Sequence, residues 1–112
     1  MKVYENDLDY LEKNSNKIAK SDLAVNDLVL VHTQQSVYSI RVLENDYYAV
    51  SGGWFDRTDV SPMKTTIVGC TWGGSAIVTD LVAACGLYVE FGNGVRSSKV
   101  RKICVIPSGR KN

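Results

Sequence analysis

Trp72-Gly73-Gly74-Ser75 combines an indole, two backbone units without side chains and a hydroxyl in four consecutive residues. Successive glycines let neighbouring N–H groups converge into a concave nest that can hold an anion, and the adjacent indole offers a plane on which a base or other flat ring can stack. Gly52-Gly53-Trp54-Phe55 repeats the pairing of glycines with tryptophan. Its two aromatic rings, if exposed, could equally anchor a protein interface. Should the strands near 47–51 and 65–71 be neighbours, their glycine pairs bring Trp54 and Trp72 to one rim, with Arg57 beside them and Arg96 within reach. That rim would supply a stacking plane, N–H donors and guanidinium groups, the three needs of a nucleotide-like anion. The expected ligand-binding set is therefore Trp54, Arg57, Trp72, Gly73, Gly74, Ser75 and Arg96. The same residues have a plainer reading, because glycine pairs at strand ends serve bulges and corners and a tryptophan usually belongs to a core.

Covalent or acid–base chemistry finds little to work with. His32 is the only imidazole and sits in the apolar run Leu28-Val29-Leu30-Val31-His32-Thr33, without Cys or Ser beside it. Asp56, Asp59 and Asp80 fall in turn-like contexts rather than in a pair with contrasting environments. Ser75 follows two glycines but lacks the strand-to-helix setting of a hydrolase nucleophile. Cys70, Cys85 and Cys104 are widely spaced among apolar or small neighbours, which suits free thiols and not a zinc site. The expectation is a protein that is not an enzyme and holds no metal or cofactor.

Six cations and no acid occupy residues 96–112: Arg96, Lys99, Arg101, Lys102, Arg110 and Lys111. On a regular strand, Lys99 and Arg101 share one face while Arg96 and Lys102 share the other, so a single basic stripe needs a bulge. A solvated edge that resists aggregation is the simple account, and attraction of phosphate groups is the functional one, with Arg41 and Arg57 as helpers. Over the whole chain, 13 Lys and Arg against 12 Asp and Glu leave a net charge of +1, no global signature for nucleic acid.

These residues need elements to position them. The 112 residues suit one domain, divided into a helical extension over 1–27, a β domain over 28–107 and a basic tail over 108–112. Tyr4, Leu8, Leu11 and Ile18 recur near helical spacing, predicting an amphipathic helix over 6–19. From Leu28 onward the period is two. Strands are expected over 28–33, 36–44, 47–51, 65–71 and 87–91, with Glu44-Asn45-Asp46 and Gly92-Asn93-Gly94 as hairpin turns, 54–62 as a loop, and a returning arm from Val95 into 100–106 whose two competing apolar faces suggest a bulge near Lys99. Residues 75–85 fit a helical face or two short strands around Thr79-Asp80, and strands are preferred. The fold class is mainly β, a small barrel or sandwich of six or seven strands. The first residues lack the apolar stretch of a secretory signal and no apolar run spans a bilayer, so a cytoplasmic location is expected.

Thr33, Ser36-Val37-Tyr38, Gly52-Gly53, Gly69-Cys70-Thr71-Trp72-Gly73-Gly74-Ser75, Glu90-Phe91 and Ser98 form a series that resembles a group of small uncharacterised bacterial all-β proteins. The resemblance covers about 28–106, implies a common fold and transfers no catalytic or binding residue. Three functions remain as expectations: capture of a small anionic or nucleotide-like ligand; a protein-interaction module or inhibitor docking through aromatic loops and sheet edges on a partner or a second copy of itself; and, less favoured, a nucleic-acid-binding small β-barrel. Membrane partners are not expected.

Overall fold

The computed structural model describes residues 13–108. Its largest sheet has six antiparallel strands in the order β1 (Lys13–Ser15), β11 (Val100–Ile106), β3 (Leu28–Thr33), β4 (Val37–Val42), β5 (Tyr48–Gly52) and β6 (Met63–Thr65). A second sheet orders β10 (Tyr88–Phe91), β7 (Ile67–Thr71) and β8 (Ile77–Val78), and β2 (Lys17–Ala19) pairs with β9 (Leu81–Ala84). The chain is mainly β, as its period-two patterning requires, but no sheet closes on itself and the barrel alternative fails. The described strands number eleven rather than six or seven, because expected long strands break into short ones; the strand foreseen at 65–71 starts as β6, is interrupted at Thr66 and resumes in the other sheet as β7.

The helix expected over 6–19 is not found where the chain is described. Residues 6–12 lie outside the described residues, and 13–19 form β1 and β2 instead. Ladder partners outweigh the sparse helical stripe: Lys13 pairs with Val105 and Ile18 with Ala83, so the segment gives one strand to each of two sheets. Arg110 and Lys111 of the basic tail also lie outside the described residues.

Alternation decides which faces are buried. Tyr38, Ile40 and Val42 are at most 8% exposed, whereas Val37 on the opposite face is 49% exposed. At the turn after β4, Asn45 and Asp46 both take positive φ, matching the right-handed strand twist of a tight hairpin. Residues 77–84 are two strands, as preferred. The 54–62 loop instead opens with a short helix, α1 (Gly53–Arg57), whose Phe55 is completely buried and not part of an exposed aromatic pair. Phe55 lies edge-on to Phe91 of β10 at 5.1 Å and to Tyr38 of β4 at 6.2 Å, so one helix residue closes the seam between the two larger sheets.

Asp56 on α1 accepts the Ser61 hydroxyl at 2.5 Å and the Gly52 N–H at 2.9 Å. The Ser61 bond first, then that of Gly52, holds its carboxyl below the usual range. A depressed folded value favours the ionised form, so this contribution to stability is present above the ordinary carboxylate pKa of about 4 and is lost as pH falls through the lower folded value. Melting temperature should therefore drop more on acidification in the wild type than in Asp56→Asn; parallel curves would argue against the linkage.

The last hairpin is tight but short. Phe91 C=O accepts the Gly94 N–H at 3.0 Å, Phe91 N–H donates to Val95 C=O at 2.8 Å, and Glu90 bridges Arg96 before the ladder stops. The returning arm rejoins a ladder only at Val100, and the register shift expected near Lys99 falls between Val100 and Lys102. Gly94 has φ of +91° with open space around its Cα, so a side chain there costs backbone strain alone. Gly94→Val should destabilise by about 1–2 kcal/mol, read as a lower urea midpoint; an unchanged midpoint would contradict the turn.

Candidate functional site

β7 ends at Thr71, and the chain must reverse over residues 72–76 to enter β8. Thr71 manages the reversal: its buried hydroxyl accepts the Gly73 N–H at 3.2 Å and donates to Gly74 C=O at 3.1 Å. Arg96 then clamps the loop from outside. Its guanidinium donates to Gly73 C=O at 3.1 Å, to Gly74 C=O at 3.4 Å and twice to Glu90 Oε1, at 3.0 and 3.1 Å. An exposed ion pair by itself is worth about 0–1 kcal/mol. Its larger effect here is geometric, since a planar fork fixes two carbonyls and a carboxylate relative to one another.

On this clamped loop the Trp72 indole is 65% exposed. Gly73 sits against the Tyr88 ring, its absent Cβ lying 3.6 Å from Cε1. Among the described residues, the N–H groups of Gly74 and Ser75 and the Ser75 hydroxyl make no hydrogen bond, so they face solvent beside the indole. Arg96 therefore spends four hydrogen bonds on the loop and on Glu90, while the loop keeps donors of its own.

The other expected site residues stand apart from this group. β5 pairs with β6 and not with β7, so the two glycine pairs end strands of different sheets. Trp54 is half-buried against the core, edge-on to Phe55 at 5.3 Å. Arg57 is exposed, and its guanidinium makes no hydrogen bond or ion pair among the described residues. No ring contact or hydrogen bond joins Trp54 or Arg57 to Trp72, Gly73, Gly74, Ser75 or Arg96.

Thr33, Ser36, Ser98 and Glu90 hold the fold. Thr33 Oγ1 accepts the Ser98 hydroxyl at 2.7 Å and the Ser36 N–H at 3.0 Å, tying the β3–β4 turn to the segment before β11. Glu90 serves the Arg96 fork, a role that the sequence separation of six hides. His32 is half-buried on β3 opposite Lys102, and its imidazole makes no hydrogen bond among the described residues. No disulfide joins Cys70, Cys85 and Cys104, and burial pushes the Cys70 thiol up to about 12. No three metal-ligating side chains converge among the described residues, and no helix there is long and apolar enough to cross a membrane. Comparisons with protein-family models, curated proteins and solved structures find no match for the chain.

Proposed function

We propose that the protein is a non-enzymatic binding module whose recognition element is the Trp72–Ser75 loop, taking a small ligand that joins a flat ring to an anionic group, as a nucleotide does. The exposed indole on a clamped loop carries this reading. An aromatic side chain left in water forgoes burial worth roughly 1.5–3 kcal/mol, and holding it rigid lowers the ordering cost of binding. The free Gly74 and Ser75 N–H groups and the Ser75 hydroxyl supply donors next to the ring. The shared fold with similar small bacterial proteins is part of the same proposal and adds no activity to it.

The test uses Trp54→Phe, which leaves Trp72 as the only indole. ATP should quench its fluorescence saturably, and the Trp72→Ala protein should bind more weakly by about 1–3 kcal/mol, the worth of one stacked base. Trp72→Ala should change folding stability by less than about 0.5 kcal/mol, as an exposed substitution does. A flat titration sinks the ligand reading. The second reading, a protein partner docking on this loop, is favoured by Val68, which is 37% exposed on β7, and by the open edge of β8.

A further inference from the structure

Away from Trp72, the register shift between Val100 and Lys102 upsets the alternation of β11, so that Arg101 and Lys102 are both exposed although they are neighbours in sequence. A bulge re-aims side chains in this way. Both residues line one cleft of about 370 Å3, together with Asn14, Asn16 and Cys85, at the place where the chain leaves the edge of β11 to join β9. The geometry of the wall is fixed by the Asn16 C=O, which accepts the Cys85 N–H at 2.8 Å, and by the Cys85 thiol, which donates to the Arg101 C=O at 3.5 Å. Among the described residues, no acid lines the cleft. Neither Arg101 nor Lys102 has an ion pair or a side-chain hydrogen bond among the described residues.

We infer that this cleft is an anion site for a small phosphate-bearing ligand, with Arg101 as a two-pronged donor, Lys102 as a point charge and the amides of Asn14 and Asn16 as polar walls. Two neighbouring cations on one cleft, with no counter-charge from the described residues, favour an anion of more than one charge. The volume suits a diphosphate or a small phosphate ester, near the lower end of small-molecule sites. This site is separate from the Trp72 loop and does not depend on its function.

Cys85 is a built-in reporter, because it is the half-exposed thiol in the cleft while Cys70 and Cys104 are buried. Alkylation of Cys85 by neutral iodoacetamide, followed by peptide mass, should slow saturably in inorganic pyrophosphate but not in sodium chloride of equal ionic strength. The double variant Arg101→Gln, Lys102→Gln, checked for unchanged circular dichroism, should need about tenfold or more pyrophosphate, as expected for losing a charge-assisted hydrogen bond. Trp72→Ala should keep full protection, which separates this cleft from the loop. ADP is run beside pyrophosphate: protection by both, or by pyrophosphate alone, tells a nucleoside-borne from a free diphosphate, and either supports the site. Absence of protection by both, equal protection by chloride, or undiminished protection in the double variant overturns it. If the double variant misfolds, Lys102→Gln alone, read for the same shift, decides the matter.

Discussion

Phe55→Ala should cost about 3–5 kcal/mol, the range for emptying an aromatic core position. Phe55 is completely buried and meets three rings edge-on, Phe91 at 5.1 Å, Trp54 at 5.3 Å and Tyr38 at 6.2 Å. Each such aromatic pair adds about 0.5–1.5 kcal/mol beyond burial. Tyr38 belongs to the six-stranded sheet and Phe91 to the three-stranded one, so collapse around the hole would have to move the sheets against each other. A protein with total stability of about 5–15 kcal/mol would lose a large share of it. At about 4 °C per kcal/mol for a chain of this size, the melting temperature should fall by at least about 12 °C. Phe55→Leu should recover most of the loss by refilling the volume, and an alanine variant that melts with the wild type would contradict the seam.

Gly52→Ala should be nearly as damaging for a different reason. Gly52 has φ of +98°, and a Cβ built on it would lie 2.0 Å from the Val37 carbonyl oxygen. The obstacle is backbone within a sheet, since Gly52 stands opposite Tyr38 in the β4–β5 ladder. Positive φ costs a residue with a Cβ about 1–2 kcal/mol, and forced displacement of packed groups adds about 1–3 kcal/mol. The urea midpoint should drop accordingly. Gly74→Ala is the control: nothing lies within 4 Å of its added Cβ, and it should stay within about 0.5 kcal/mol of wild type. Similar losses for both variants would show that glycine removal in general, and not the Val37 contact, is responsible.

Strands were legible where one face is buried. Tyr38, Ile40 and Val42 alternate with exposed or half-buried residues, and hydrophobic pattern alone sets their register. Over 13–19 the helix expectation fails because Tyr4, Leu8, Leu11 and Ile18 are too few to distinguish a weak helical stripe from strands whose partners, Val105 and Ala83, stand far away in sequence. α1 was missed for a related reason: five residues carry no periodicity, and its purpose is to deliver Phe55 into the core. For the site, the Trp72–Ser75 loop and Arg96 could be named from residue type, but their contact runs through the Glu90 carboxylate and two carbonyls, which no spacing reveals. Trp54 and Arg57 were grouped with them on a strand adjacency that the sheets do not have. The bulge that competing apolar faces suggest near Lys99 lies between Val100 and Lys102.

The position of β11 between β1 and β3 has a consequence for how the chain acquires its shape during synthesis. β3 emerges from the ribosome early and finds β4 at once, yet its other edge must wait until residues 100–106 arrive, and β1 has no neighbour in its sheet until then. A nascent chain stopped before Val100 would carry an open hydrogen-bonding edge on β3 and an unattached leading segment. Such edges recruit other chains, and pairings this distant in sequence form slowly. Among the described strands the last to be translated is thus the one that inserts between two earlier ones, and nascent chains halted short of it should be markedly richer in chaperone contacts than those extended beyond Pro107.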